Sequence, residues 1–342
     1  MRNVKHSLVP RAGATVAIVG GDSLLGKEIS DVIESRGIRA RVELIGSAVD
    51  GSILTSSGDE VTVMSSLNRD ELSRAKVVML AGPPESSRKA LEIASSLEPK
   101  PLIVDVSGAL HEMPNARLRA PQIEGAAPDA TSLAVIGHPA AIALTLFLAR
   151  LRKAAPIARC LVHVFEPASE RGQRGIDELQ QQTVGLLSFQ QLHKEVFDAQ
   201  VSFNLLPRFG EDAPLSLEQV ESTIDKHLAT LLASHSGGVA MPSLRVVQAP
   251  VFHGYSFSIW VEFENNPGIP QIESALTGEL IDLRTPHMEA PTNVGAAGQS
   301  GITVGSIAVD RNDARACWFW MVADNLRIAA ENGVEVASEA LA

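Results

Sequence analysis

Residues 16–26, VAIVGGDSLLG, constrain this chain more than any other stretch. A short apolar run passes through a glycine pair and into a helical pattern, which predicts a strand, a tight turn and a helix N-terminus. Such a turn lets backbone N–H groups approach a phosphate, and the helix dipole favours the anion there. Leu25, Ile29, Val32 and Ile33 fall on one face of the helix and can pack on a sheet. Gly20, Gly21 and Gly26 are present, but Ser23 stands where the middle glycine of G-x-x-G-x-x-G would be. A serine blocks a pyrophosphate if that position needs a positive φ, and is harmless if its backbone is ordinary. A nucleotide-free α/β domain can carry the same kind of turn.

The segments that follow continue the pattern. Strands are expected at 39–45, 61–64, 76–80, 101–106 and 133–136, with helices at 25–36 and 86–96. Apolar strands alternating with helices predict a mostly parallel sheet covered on both faces. The loop 46–51 lies where a doubly wound sheet meets the adenosine ribose, and it offers Ser47 but no arginine for a 2′-phosphate. Beyond Gly137 the character changes. An apolar helix is expected at 140–151 behind Pro139, then a strand at 159–165 with Leu161, His163 and Phe165 on one side. A loop at 166–173, helical segments over 177–197 and a Ser216-capped helix striped by Leu217, Val220, Ile224, Leu228 and Leu231 follow. Strands at 244–251 and 256–263 and one long helix at 318–341 complete the reading. Glu262 and Glu264 read as solvated strand residues, His163 as a core histidine, and Trp318 and Trp320 as packing residues at the start of the last helix.

Charge and cysteine content narrow the function classes. The formal net charge is −11 over 342 residues and no Lys/Arg cluster runs against it, which argues against a nucleic-acid surface. No apolar run reaches the length of a membrane span. Residues 1–14 read as a loose tail without the apolar core of a secretion signal, and the LVPR within it resembles a protease tag site. Cys160 and Cys317 make no disulfide framework and read as buried structural thiols, so a cytoplasmic location is expected. No His, Glu or Cys spacing suggests a metal site.

Several segments match one family in order: VGGDSLLGKE, IVDVSGAL, IGHPAAIAL, VFEPASERGQRGIDELQQQT, FNLLPRFGE, QAPVFHGYSFSIWVEFE and ADNLRIAAENGVEVASEAL. Together they resemble the aspartate-semialdehyde dehydrogenases over almost the whole chain from about Thr15. The resemblance implies a Rossmann-type doubly wound α/β domain made of 15–137 with 318–342. It also implies an α+β catalytic-type and dimerisation domain at 138–317 with a mixed or antiparallel sheet, and a homodimer. NADP or NAD is the implied cofactor, contacted by Gly20, Gly21, Ser23, Leu24, Leu25, Gly26, Ser47, Gly82, Ser169 and Asn325.

The family's chemistry needs a thiolate at a helix N-terminus, where the dipole lowers the thiol pKa. Against the family pattern, Ala141 stands at the cysteine position, Tyr255 at the histidine base and Gln248 at the arginine that clamps the substrate carboxylate. His253 lies two residues earlier, where strand alternation gives it the same side as Tyr255. Glu166 replaces a substrate-holding glutamine and would repel an acidic substrate, Glu170 replaces a glycine, and Lys226 is the nearest lysine to the phosphate position, two turns late. Joint loss of thiol, base and clamp resembles the Usg-like paralogues, which lack the catalytic cysteine. Three readings stay open: a homologue without that activity that still binds NAD(P); an active NAD(P)-dependent oxidoreductase acting on an aldehyde or semialdehyde, with Tyr255, His253, His138 and Glu166 as acid/base candidates; and a non-enzymatic dimeric interaction protein.

Overall fold

The computed structural model describes residues 13–47, 53–57, 60–124, 131–235 and 239–342. Most of the expected N-terminal tail and of the loop after Ser47 lies outside them.

The chain opens with β1 (Thr15–Val19), α1 (Leu24–Ser35) and β2 (Arg41–Ile45), followed by a hairpin of β3 (Ile53–Ser57) and β4 (Glu60–Met64). Then come α2 (Arg69–Ser73), β5 (Ala75–Leu80), α3 (Pro84–Ser95), β6 (Leu102–Asp105), β7 (Arg117–Arg119) and β8 (Leu133–Ile136). The first sheet is entirely parallel, in the order β2-β1-β5-β6-β8-β7. Residues 61–64 are a strand as expected, but they pair in the hairpin and not in this sheet. β7 was not foreseen.

α4 (Pro139–Leu151) is apolar on every side and is buried accordingly, with Ala140 through Leu148 all inside. β9 (Ile157–Glu166) runs into a short 3-10 turn (Ala168–Arg171) and α5 (Gly172–Leu187), so the loop expected at 166–173 is largely regular structure. α6 (Leu217–His235) starts with a reciprocal capping pair: Gln219 N donates to Ser216 Oγ, and Ser216 N to Gln219 Oε1. The remaining elements are β10 (Ser243–Gln248), β11 (Tyr255–Phe263), α7 (Ile269–Leu276), β12 (Ile281–Leu283), α8 (Asn293–Ala296), β13 (Ile302–Val309), β14 (Ala316–Ala323) and α9 (Asn325–Leu341).

The second sheet is mixed, in the order β10-β9-β11-β14-β13-β12, with parallel pairs at its two ends. The helix expected from Trp318 is corrected here: ACWFWMVA is strand β14, paired with both β11 and β13, and the helix begins only at Asn325. α9 then returns to the first sheet, packing on α1, α4, β5 and β6. Gly333 makes that approach possible, since a Cβ there would lie 2.7 Å from Val106 Cγ2.

One face of the second sheet packs inward through Cys160, Val162, Val164, Phe257, Ile259, Val261, Phe319 and Met321. The other face is apolar and open. Leu161 (45% exposed) stands opposite Trp260, and Trp260 opposite Trp318 (41% exposed). Phe165 and Trp320 follow beside them with ring centroids 6.0 Å apart. His163 is therefore exposed on this face and is not a core histidine. Glu262 is not solvated either: it is 3% exposed and held by Arg159 Nε at 2.5 Å and by Arg315. Glu264 is exposed as expected. No helix among the described residues is long and apolar enough to cross a membrane.

Candidate active site

Two places carry the residues singled out by the sequence. The first is the turn between β1 and α1. Gly20 has φ +85°, and a Cβ on it would lie 2.4 Å from Gly82 Cα, so the two loops meet at a distance only glycine permits. Gly26 is fixed equally hard, because a Cβ there would sit 2.2 Å from Gly20 O. The amides of Gly20 and Gly21 donate to Ile45 O at 2.9 and 3.0 Å. Ser23 has φ −74°, an ordinary extended backbone, so its side chain does not strain the turn. It is the N-cap of α1, accepting from Gly26 N at 2.9 Å and donating to Ala81 O at 2.8 Å. Leu24 and Leu25 lie between, and no acceptor among the described residues takes their first-turn amides.

Asp22, which the sequence reading passed over, closes the far side. Its Oδ1 accepts from Ser47 N at 2.8 Å and its Oδ2 from Ser47 Oγ at 2.6 Å. The signal was an acid directly after the glycine pair; its partner is set only by the pairing of β1 with β2.

The second place is a buried polar cluster at the carboxyl ends of β9 and β10 and the start of β11. Ala141 is the third residue of α4, fully buried, in the helix's first turn. His138 caps that helix and accepts from Ala140 N at 3.3 Å. Gln248 is fully buried, with Nε2 donating to Glu166 O at 2.9 Å and Ala249 O at 3.0 Å. Tyr255 is fully buried, its ring centroid 6.0 Å from that of His138. Glu166 pairs with Arg171, and Glu170 faces His138 Nε2 at 3.9 Å. Asn325, 1% exposed, joins these parts: it accepts from Ser169 Oγ at 3.2 Å and Gly254 N at 3.1 Å, and donates to Glu170 Oε1 at 2.8 Å. Ser169 and Asn325 are thus bonded to each other beside Glu170.

His253 is not on the strand. Gly254, at φ +80°, breaks the chain direction before Tyr255, so alternation does not bring His253 to its side. Lys226 points elsewhere, to Glu112 at 3.7 Å. Arg171 and His227 were missed by the sequence reading, since nothing local marks a charge that tertiary packing buries.

The electrostatics follow from burial. Removal from water pushes the Glu166 and Glu170 carboxyls up, against the pull of Arg171. It also raises the Tyr255 hydroxyl well above its ordinary value, with Glu170 and Glu166 adding to the effect. His138 and His227 are pushed down to about 3, first by burial; Arg171 adds to this at His138 and the neighbouring histidines at His227. His227 Nδ1 accepts from His138 N at 2.9 Å, as a neutral imidazole must. Among the described residues, three buried atoms here have no hydrogen-bond partner, Glu166 Oε2, Arg171 Nε and Gln248 Oε1, while the Tyr255 hydroxyl faces Glu170. Both cysteines are buried strand residues, and burial lifts the Cys160 thiol to about 12 and raises Cys317 as well, away from the thiolate form a nucleophile needs. No group of three or more His, Cys, Asp or Glu among the described residues is arranged to hold a metal.

Comparison with known proteins agrees with this fold. The family described as "Semialdehyde dehydrogenase, dimerisation domain" matches residues 148–328. The chain is 27% identical to the aspartate-semialdehyde dehydrogenase of Rickettsia bellii over 335 residues, covering 95% of this chain and 96% of the relative. It is also 27% identical to the USG-1 protein homolog of Azotobacter vinelandii over 329 residues, covering 94% and 96%. In fold it is similar to aspartate semialdehyde dehydrogenase II of Vibrio cholerae, solved as a complex with ASA: TM-score 0.79, 22% identity, 97% of this chain and 98% of the other.

Proposed function

The chain belongs to the semialdehyde dehydrogenase family, and from that premise we propose that it has given up thioacyl chemistry while keeping a dinucleotide cradle and a dimerisation face. The observation that carries this reading is Ala141. The first turn of α4 is where a thiolate would draw on the helix dipole, and a methyl group is there instead. Without a nucleophile, the base and clamp positions lose their purpose, which accounts for Tyr255 and Gln248. Tyr255 is a buried hydroxyl that keeps its proton, not a base. The buried Glu166 and the partly buried Glu170 oppose a substrate that carries a carboxylate.

The residues of the glycine turn fit a nicotinamide dinucleotide. The Gly20–Gly82 approach, the ordinary φ of Ser23 and the open amides of Leu24 and Leu25 support pyrophosphate binding at α1. A bound nicotinamide supplies a hydride acceptor or donor. The catalytic-type domain on this reading runs from 138 to Ala323, with α9 returning to the nucleotide domain of 15–137. The open face of Leu161, Trp260 and Trp318 is covered by a second copy of the chain.

A second reading has one observation in its favour. The buried Tyr255 hydroxyl, with Glu170 and Arg171 acting on it and His138 beside it, is a candidate proton donor for an aldehyde or semialdehyde reductase. A screen of aldehydes and ketones with both reduced dinucleotides separates the two readings. The main reading is tested by supplying aspartate semialdehyde, phosphate and NADP or NAD. No phosphate-dependent reduction of the dinucleotide is expected, together with measurable dinucleotide binding.

A further inference from the structure

The geometry of Asp22 and Ser47 points to a dinucleotide preference: we propose that Asp22 selects the form with a free 2′-hydroxyl, NAD(H), and disfavours the 2′-phosphorylated form. This rests on the dinucleotide reading of the glycine turn. Strands β1 and β2 are neighbours in a parallel sheet, with Val19 beside Ile45 at their carboxyl ends. Asp22 follows the first end and Ser47 the second. In a doubly wound sheet this is where the adenosine ribose rests. An acid at that place accepts from the ribose 2′-hydroxyl, whereas a 2′-phosphate needs an arginine.

Three observations favour the acid's role. Asp22 is not loose: both its oxygens are fixed by Ser47, one through the amide and one through the hydroxyl. A carboxylate offers about four lone-pair sites, so two bonds leave it capacity to accept from a ribose. Among the described residues, the end of β2 runs into Gly46 and Ser47, neither of them a lysine or arginine that could balance a phosphate. Ser47 alone would be neutral between the two cofactors; pinned to Asp22, its hydroxyl proton is already committed.

The test is a fluorescence titration of the full chain with NADH and with NADPH, using wild type, Asp22→Asn and Ser47→Ala. Wild type binds NADH at least about tenfold more tightly than NADPH, as expected for a like charge held against a phosphate. Asp22→Asn keeps the side chain's size and removes its charge, so NADPH binding recovers and the gap narrows. Ser47→Ala keeps the charge and therefore keeps the preference. Equal or tighter binding of NADPH by wild type overturns the assignment, as does an unchanged gap in a folded Asp22→Asn. If Asp22→Asn does not fold, the wild-type ratio decides alone. Binding of neither dinucleotide at millimolar concentration overturns the nucleotide reading itself, and the preference with it.

Discussion

Asn325 donates from Nδ2 to Glu170 Oε1 at 2.8 Å, and this bond ties the first turn of α9 to the buried acids. The same side chain accepts from Ser169 and from the amide of Gly254. Asn325→Leu leaves three buried polar groups short of a partner. A loss of about 1–3 kcal/mol is expected for a buried group left unpaired. Urea denaturation at neutral pH measures it. Asn325→Asp places a second carboxylate beside Glu170 and is expected to cost more than Asn325→Leu.

Gly26 lies in van der Waals conflict with any added side chain, because Gly20 O already occupies the position. Gly26→Ala forces α1 away from β1. Overpacking of this kind costs about 1–3 kcal/mol. The thermal midpoint falls, and dinucleotide binding weakens with it because Leu24 and Leu25 move. A surface control on the same helix, Lys27→Ala, changes neither.

The buried histidines give the acid limb of stability a defined sign. His227 has its folded-state pKa pushed down to about 3, against an ordinary value of about 6.5. The unfolded chain therefore binds a proton first. Stability supplied by neutral His227 is complete above about pH 6.5 and is lost as the pH falls toward 3, by up to about 1.4 kcal/mol per pH unit. Glu166 and Glu170, with raised pKa values, act in the opposite sense. Comparing wild type with His227→Gln isolates the histidine. The variant is less stable at pH 7, where Nδ1 no longer accepts from His138 N, and its stability falls less steeply on acidification.

The open sheet face makes a separate prediction about assembly. Leu161, Trp260 and Trp318 stand in register across three strands with apolar surface exposed. Leu161→Arg or Trp318→Glu puts a charge in the centre of that face. Light scattering coupled to gel filtration is expected to find a dimer for wild type and a monomer for either variant.

Much of this architecture was legible in the sequence because it is written locally. The βα turn, the stripe of α6 with its Ser216 cap, and the alternation of Phe257, Ile259, Val261 and Phe263 need only near neighbours to specify them. What escaped was set by distant partners. WFWMVA has no helical or strand period, and only pairing with β11 and β13 makes it a strand. Glu262 reads as solvated until Arg159 arrives from β9 and Arg315 from the turn before β14. His163 sits on an apolar-looking strand whose outward face is itself apolar, so alternation alone could not say which side is the core. At the candidate site, Ala141, Gln248 and Tyr255 were visible as substitutions, but the burial of Glu166 against a partly buried Arg171 and Glu170 was not.

The central claim is that this chain runs no thioacyl chemistry. Purified protein, aspartate semialdehyde, inorganic phosphate and NADP or NAD are mixed, and formation of the reduced dinucleotide is followed by absorbance. The account predicts a rate equal to the protein-free control, unchanged when phosphate is omitted. A phosphate-dependent rate that scales with protein concentration, and is lost in Cys160→Ala or in Cys317→Ala, would contradict it.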